Sequence, residues 1–117
     1  MTIKDFNVTL DEFLNDILLV FPKHIGVKKQ KLQFEYGRKA NVYIAYDRIM
    51  PDLMTHSKYI LARDETAIPI VDKTLSDINL TEMWNSDEAT DDVKNTIWEY
   101  IQTLLTIGMQ IYMSKNK

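Results

Sequence analysis

His24 and His56 are the two imidazoles of the chain. Imidazole is the side chain most suited to proton transfer near neutral pH or to holding a transition metal. Neither histidine has a carboxylate at the H-E-x-x-H spacing that puts two ligands and a base on one helix face. A metal site would have to borrow Asp or Glu ligands from elsewhere; the plainer reading is two partly exposed histidines beside loops. Asp64 and Glu65, following Arg63, read as a solvated turn rather than an acid/base couple. The acidic cluster at 86–92 lacks the D-x-[DN]-x-[DN]-G pattern and terminal Glu of a calcium loop. Asp91 and Asp92 have a simpler role in the first turn of a helix, where backbone amides favour negative charge. With three glycines and neither G-x-x-x-x-G-K-[ST] nor G-x-G-x-x-G, a phosphate-cradling loop is not expected. Ser57, Ser76, Ser86 and Ser114 lack a nucleophile-elbow setting. The absence of cysteine removes disulfides, thiol catalysis and cysteine-ligated zinc. The expectation is no catalytic residue, no metal and no cofactor: not an enzyme.

Binding chemistry is more visible. Lys23, Lys28, Lys29, Lys31, Arg38 and Lys39 face a single opposing charge, Glu35, and interleave with Phe34 and Tyr36. Cations attract phosphates and aromatic rings stack on bases, so Lys28, Lys29, Lys31, Arg38 and Lys39 are the nucleic-acid candidates. The alternative is a solvated lysine-rich loop whose aromatics turn into the core. The segment 77–92 is the mirror image, with Asp77, Glu82, Asp87, Glu88, Asp91 and Asp92 and no basic residue. Such oppositely charged faces attract within one fold or between molecules, and their main effect is to orient partners. Near the C-terminus, Trp98, Tyr100, Leu105, Met109, Tyr112 and Met113 do not fit one narrow helix face. Either a broad face fills a small core, or some of these side chains meet a protein partner or a second copy. Trp98, Tyr112 and Met113 are the interface candidates. A membrane-lying helix fits this segment poorly, because its first turn is acidic and its polar positions include Glu99, Gln102, Thr103 and Gln110.

The elements that must position these groups follow from periodicity. Thr9 and Glu12 have capping-box spacing, and Val8 and Phe13 flank them as a hydrophobic staple. Leu10, Phe13, Leu14, Ile17, Leu18 and Phe21 then recur at helical spacing until Pro22, predicting a helix over 10–21. Leu32, Phe34 and Tyr36 alternate with Gln33 and Glu35. That alternation suits a short strand, and a loop leading into a helix suits the same residues. Val42, Tyr46, Ile49, Met50 and Leu53 form a helix face that Pro51 interrupts or restarts, and Tyr59 to Ala62 extends this piece. Pro69 predicts an extended or irregular buried connector over 67–71. Leu80, Met83 and Trp84 suggest a short helical turn after Asn79 or Thr81. Thr90 caps the longest helix, expected over 91–113, with Lys115 and Lys117 at its positive-tolerant end. Gly108 inside it costs about 1 kcal/mol relative to alanine, so it implies a close helix crossing or a mild bend.

With 117 residues, 45% of them apolar and 26% charged, the chain reads as one folded domain over 1–117 rather than a disordered one. The formal charge of −3 argues against a general nucleic-acid coat without excluding a local basic patch. No apolar run spans a bilayer, and the first residues lack signal-peptide layout. With no cysteine, an intracellular, cytoplasmic setting is expected, without membrane insertion.

The layout Phe13-Leu14 through Val20-Phe21-Pro22, with Val93-Lys94, Ile97-Trp98 and Tyr100-Ile101 in the closing stretch Thr90 to Leu105 and Trp84 before it, resembles an uncharacterised family of large cytoplasmic DNA virus proteins. The resemblance covers under half the chain and contains no catalytic motif. It implies a small viral, virion-associated protein and assigns no chemistry. The expected fold is a mainly α, compact helical domain that admits a short β-hairpin near residues 32–44. The expected function is a noncatalytic protein-interaction or assembly module, viral structural or accessory in kind. A nucleic-acid-binding accessory using segment 23–39 is the alternative, and a small enzyme or metal protein a more remote one.

Overall fold

The stripe that starts the fold begins earlier than residue 10. Phe6 is fully buried with Leu10, Phe13, Leu14 and Ile17, so the helix must already be running at Phe6. In the computed structural model, which describes residues 2–76 and 78–115, helix α1 spans Ile3–Val20. Its cap is Thr2 with Asp5, not Thr9 with Glu12. The Asp5 amide donates to Thr2 Oγ1 at 3.4 Å and the Thr2 amide to Asp5 Oδ2 at 2.8 Å. The Thr2 amide first, and then the Thr2 hydroxyl donating to the same oxygen at 3.2 Å, hold the Asp5 carboxyl below its usual pKa. Val8 is exposed and staples nothing. At the other end the Phe21 amide donates to Ile17 O, and Pro22 prevents continuation.

The expected β-hairpin near 32–44 is overturned. Helix α2 covers Ile25–Ala40, and no strand occurs among the described residues. Alternation misled because only Phe34 of the three points inward. The buried set is Val27, Gln30 and Phe34, at helical spacing, whereas Leu32 and Tyr36 are exposed. A strand here would have had no partner for its backbone groups; a helix satisfies its own. The next turn is fixed by the Tyr43 amide donating to Asn41 Oδ1 at 2.9 Å.

Helix α3 spans Ile44–Thr55 and α4 Ser57–Leu61. Pro51 neither stops nor restarts α3. It lies on the exposed side while Ala45, Tyr46, Ile49, Met50 and Leu53 bury theirs, and that burial outweighs one missing helix hydrogen bond. Residues 67–71 are not an irregular connector either, since helix α5 spans Ala67–Thr74. Pro69 is the third residue of this helix, where backbone N–H groups have no intrahelical acceptor, so its missing donor costs nothing there. Helix α6, Leu80–Trp84, borrows its terminal acceptor from α5, with the Thr81 amide donating to Asp72 Oδ2 at 3.0 Å. Helix α7 spans Asp91–Lys115, and Thr90 Oγ1 accepts from the Val93 amide at 3.3 Å. Asp77 of the acidic segment and Lys117 after the last helix lie outside the described residues.

Helices α1, α3 and α7 contact one another and enclose the core. Helix α2 lies across α1 and α3, α4 packs on α3 and α7, and α5 carries α6. Phe13, Ile49, Leu53, Val71, Leu75, Ile101 and Leu104 surround a void of ≈ 10 Å³, about the limit for one water, so the centre is closed. The radius of gyration, 13.6 Å, is close to the roughly 13.4 Å expected of a compact chain this long.

The α3–α7 crossing explains the glycine inside α7. A Cβ on Gly108 would lie 2.0 Å from Met50 Sδ and 2.8 Å from Met50 Cγ, and Met50 is itself fully buried. Gly108→Ala should therefore destabilise by about 1–3 kcal/mol through overpacking, although alanine is the better helix former. In a Met50→Ala background the same change should be neutral or stabilising. Urea denaturation of the four proteins in this double-mutant cycle measures both effects.

Candidate interaction surfaces

The histidines occupy separate clefts. His24 precedes α2, its ring edge-on to Phe21 at 5.8 Å, in a depression shared with Lys23, Glu82 and Glu88. His56 joins α3 to α4 in a polar cleft with Arg48, Asp52, Lys73 and Thr74. Arg48 and Asp52 of α3 and His56 just after it follow at intervals of four residues, a spacing visible in the sequence; the α5 side of the cleft is not. Thr74 Oγ1 donates toward Ile70 O at 2.8 Å and Asp52 Oδ2 at 3.0 Å, which pins α5 to α3. No three His, Asp or Glu side chains converge as a metal-binding set among the described residues. Asp64 accepts from the amide and hydroxyl of Thr66 at 3.0 and 2.9 Å. Those bonds depress its pKa and make it the turn before α5.

The basic segment divides in two. Arg38 is committed to the fold. Its guanidinium forms a bidentate pair with Asp11 of α1, at 2.6 and 2.9 Å, and its Nε donates to Phe34 O. It cannot serve a nucleic acid without breaking that pair. Lys28, Lys29 and Lys39 are exposed and Lys31 is half-buried, with Lys39 Nζ 5.1 Å from the Tyr36 ring centre. The same outer face carries a feature missed in the sequence. Ile25, Leu32 and Tyr36, at helical spacing, are 77%, 54% and 69% exposed. Reading 32–36 as alternating concealed this second apolar stripe on the helix.

The interface candidates also part company. Trp98 is buried, edge-on to Trp84 with ring centres 5.4 Å apart, and offers a partner no surface. Tyr112 and Met113 are exposed beside Met109 on the last turns of α7. Lys115 Nζ folds back over the rings of Tyr43 and Tyr46, 4.3 and 5.4 Å from their centres.

A fourth surface lies between the end of α1 and the start of α7. Phe13, Ile17, Leu19, Val20 and Ile97 line a groove of about 280 Å³ whose charged members are Asp16 and Asp92. Across it the Tyr100 hydroxyl donates to Asp16 Oδ2, and the Tyr100 ring stacks on Phe13 at 5.2 Å. Burial first, and then this bond, push the phenol up to about 12. Leu19 projects almost bare at the rim. Asp16 and Asp92, remote in sequence, line one groove only because α1 packs on α7.

Lys23 of the basic segment and Glu82 and Glu88 of the acidic one share a depression without a close ion pair. Among the described residues the one ion pair is Arg38–Asp11, and none joins the two segments. Among the same residues no helix is long and apolar enough to cross a membrane.

Trp98→Ala should cost about 3–5 kcal/mol of stability, as a core cavity does. Met113→Ala should stay within about 0.5 kcal/mol. Thermal and denaturant unfolding separate the two. Tyr100 should be the last tyrosine to ionise in a tyrosinate absorbance titration, at about 12. Its folded pKa lies above the ordinary 10.0, so its stabilising effect is complete below pH 10 and is lost as pH rises toward about 12. Tyr100→Phe should flatten that alkaline loss, leaving the smaller part from Tyr46, whose phenol burial also raises.

No family model matches the chain, and neither does any curated protein or solved structure; the viral resemblance rests on its quoted residues alone.

Proposed function

We propose that this chain is a noncatalytic protein-interaction module, with the outer face of α2 as a principal contact surface. The observation that carries this reading is the stripe Ile25, Leu32 and Tyr36, exposed on a helix whose other face is already buried. Contiguous exposed apolar side chains cost solubility and are retained where a partner covers them. Lys28, Lys29 and Lys39 border the stripe and favour an acidic partner, for which they supply orientation more than affinity. The viral resemblance would make the role structural or accessory.

Nucleic acid is the second reading, favoured by exposed Tyr36 among these lysines. It ranks lower because a phosphate backbone leaves Ile25 and Leu32 without apolar cover and because Arg38 is already paired. Affinity isolation from the native source, with and without nuclease, tests both. The expected result is a protein partner that survives nuclease and is lost with Leu32→Asp. Retention that nuclease abolishes, that Lys28→Glu, Lys29→Glu and Lys31→Glu remove together and that falls steeply with salt would replace this reading with the nucleic-acid one.

A further inference from the structure

We infer that a partner of the α2 face is a second copy of this chain, seated through its own α1–α7 groove, so that copies join head to tail. The inference rests on the reading of α2 as a protein-contact surface and names the occupant. The two surfaces are complementary in each respect that matters for docking. One is a convex helix with Ile25 and Leu32 two turns apart and Lys28 and Lys29 between them. The other is a concave apolar strip, Ile17, Leu19, Val20 and Ile97, whose charges are the carboxylates of Asp16 and Asp92 and which contains no cation. A groove of about 280 Å³ lies below the usual range of roughly 300–1,000 Å³ for small-molecule pockets. It suits aliphatic side chains entering from a helix better than an engulfed ligand.

The contact cannot be made within one chain. Helix α2 packs on α1 and α3 with Val27, Gln30 and Phe34 buried, and the Arg38–Asp11 pair ties it to α1, so its outer face points away from α1 and from the groove beside it. The lysines and the groove carboxylates are likewise unpaired with each other inside the fold. Since the joining patches differ, the interface is heterologous. It leaves a free α2 face at one end and a free groove at the other, and copies add until the geometry closes a ring or a filament grows.

Two fold-sparing variants test this in the purified 117-residue chain. Lys29→Glu with Leu32→Glu blocks the α2 face. Leu19→Lys with Thr96→Lys blocks the groove at exposed positions and leaves the Tyr100–Asp16 bond in place. Circular dichroism establishes that each remains folded, and sedimentation velocity over a concentration series reads the mass. The wild-type mass should rise with concentration and fall with salt. Each variant alone should associate at least about tenfold more weakly, the equivalent of ~1.4 kcal/mol. Mixed one to one, the two variants should form a dimer that grows no further, because each retains the half the other lacks. A wild-type chain that stays monomeric throughout, or a mixture that stays monomeric, overturns the inference. So does a groove-blocked variant that still associates like the wild type, which would indicate symmetric α2–α2 contact. A monomeric wild type that still captures a nuclease-resistant protein through Leu32 would sink self-assembly while leaving the proposed function standing.

Discussion

The burial of one stripe on α1 against α7 is the constraint on which the rest of the structure depends. Phe6, Leu10, Phe13, Leu14 and Ile17 are almost wholly withdrawn from water. Each such side chain contributes about 1.5–3 kcal/mol relative to exposure. Helices in proteins draw most of their stability from packing of an amphipathic face, so α1 is held as a helix chiefly by the helices that cover it. That contact brings Phe13 onto Tyr100, Tyr100 onto Asp16, and the end of α1 beside the acidic start of α7. The groove is a consequence of the core, lined by the end of α1 and the start of α7.

Polar groups lock the remaining helices to this frame at few points. Arg38 ties α2 to α1 through Asp11, and Asn7 Nδ2 donates to Val42 O at the turn after α2. Thr74 and Asp52 join α5 to α3, and Gln102 Nε2 donates to Ile60 O between α7 and α4. Buried or half-buried bonds of this sort add modest net stability but penalise alternative packings, because a wrong arrangement leaves a donor or acceptor unpaired. They also explain why charge near a helix does not predict its use. Arg38 and Lys39 are neighbours in sequence; one is structural and the other faces solvent.

What remains on the outside is uneven. Apolar side chains cluster on α2's outer face, at the end of α1 and on the last turns of α7, and the α1–α7 groove carries carboxylates without a cation. A chain that needed only to fold could have placed polar residues at Leu19, Ile25, Leu32 and Tyr36 without loss of core. Their exposure is a property of the surface, and it weights the functional reading toward macromolecular contact rather than chemistry in a cleft.

Helical periodicity alone determined the α1 stripe and the long α7 with Thr90 and its two aspartates, while at Gly108 it left a close crossing and a mild bend both open. These are local patterns, repeated over several turns, and they survive any tertiary arrangement that buries them. It misplaced the start of α1, because Thr2–Asp5 and Thr9–Glu12 offer similar caps and only the burial of Phe6 chooses between them. It admitted a hairpin at 32–44, because alternating residues on a helix with apolar side chains on both faces mimic a strand. It put Trp98 at an interface, because nothing in the chain says that α6 brings Trp84 against it. Tertiary structure decided which lysines are free, which carboxylates share the α1–α7 groove and that Leu19, Ile25 and Leu32 stay in solvent. Those facts depend on which helix covers which face, and residues far apart in the chain settle that together.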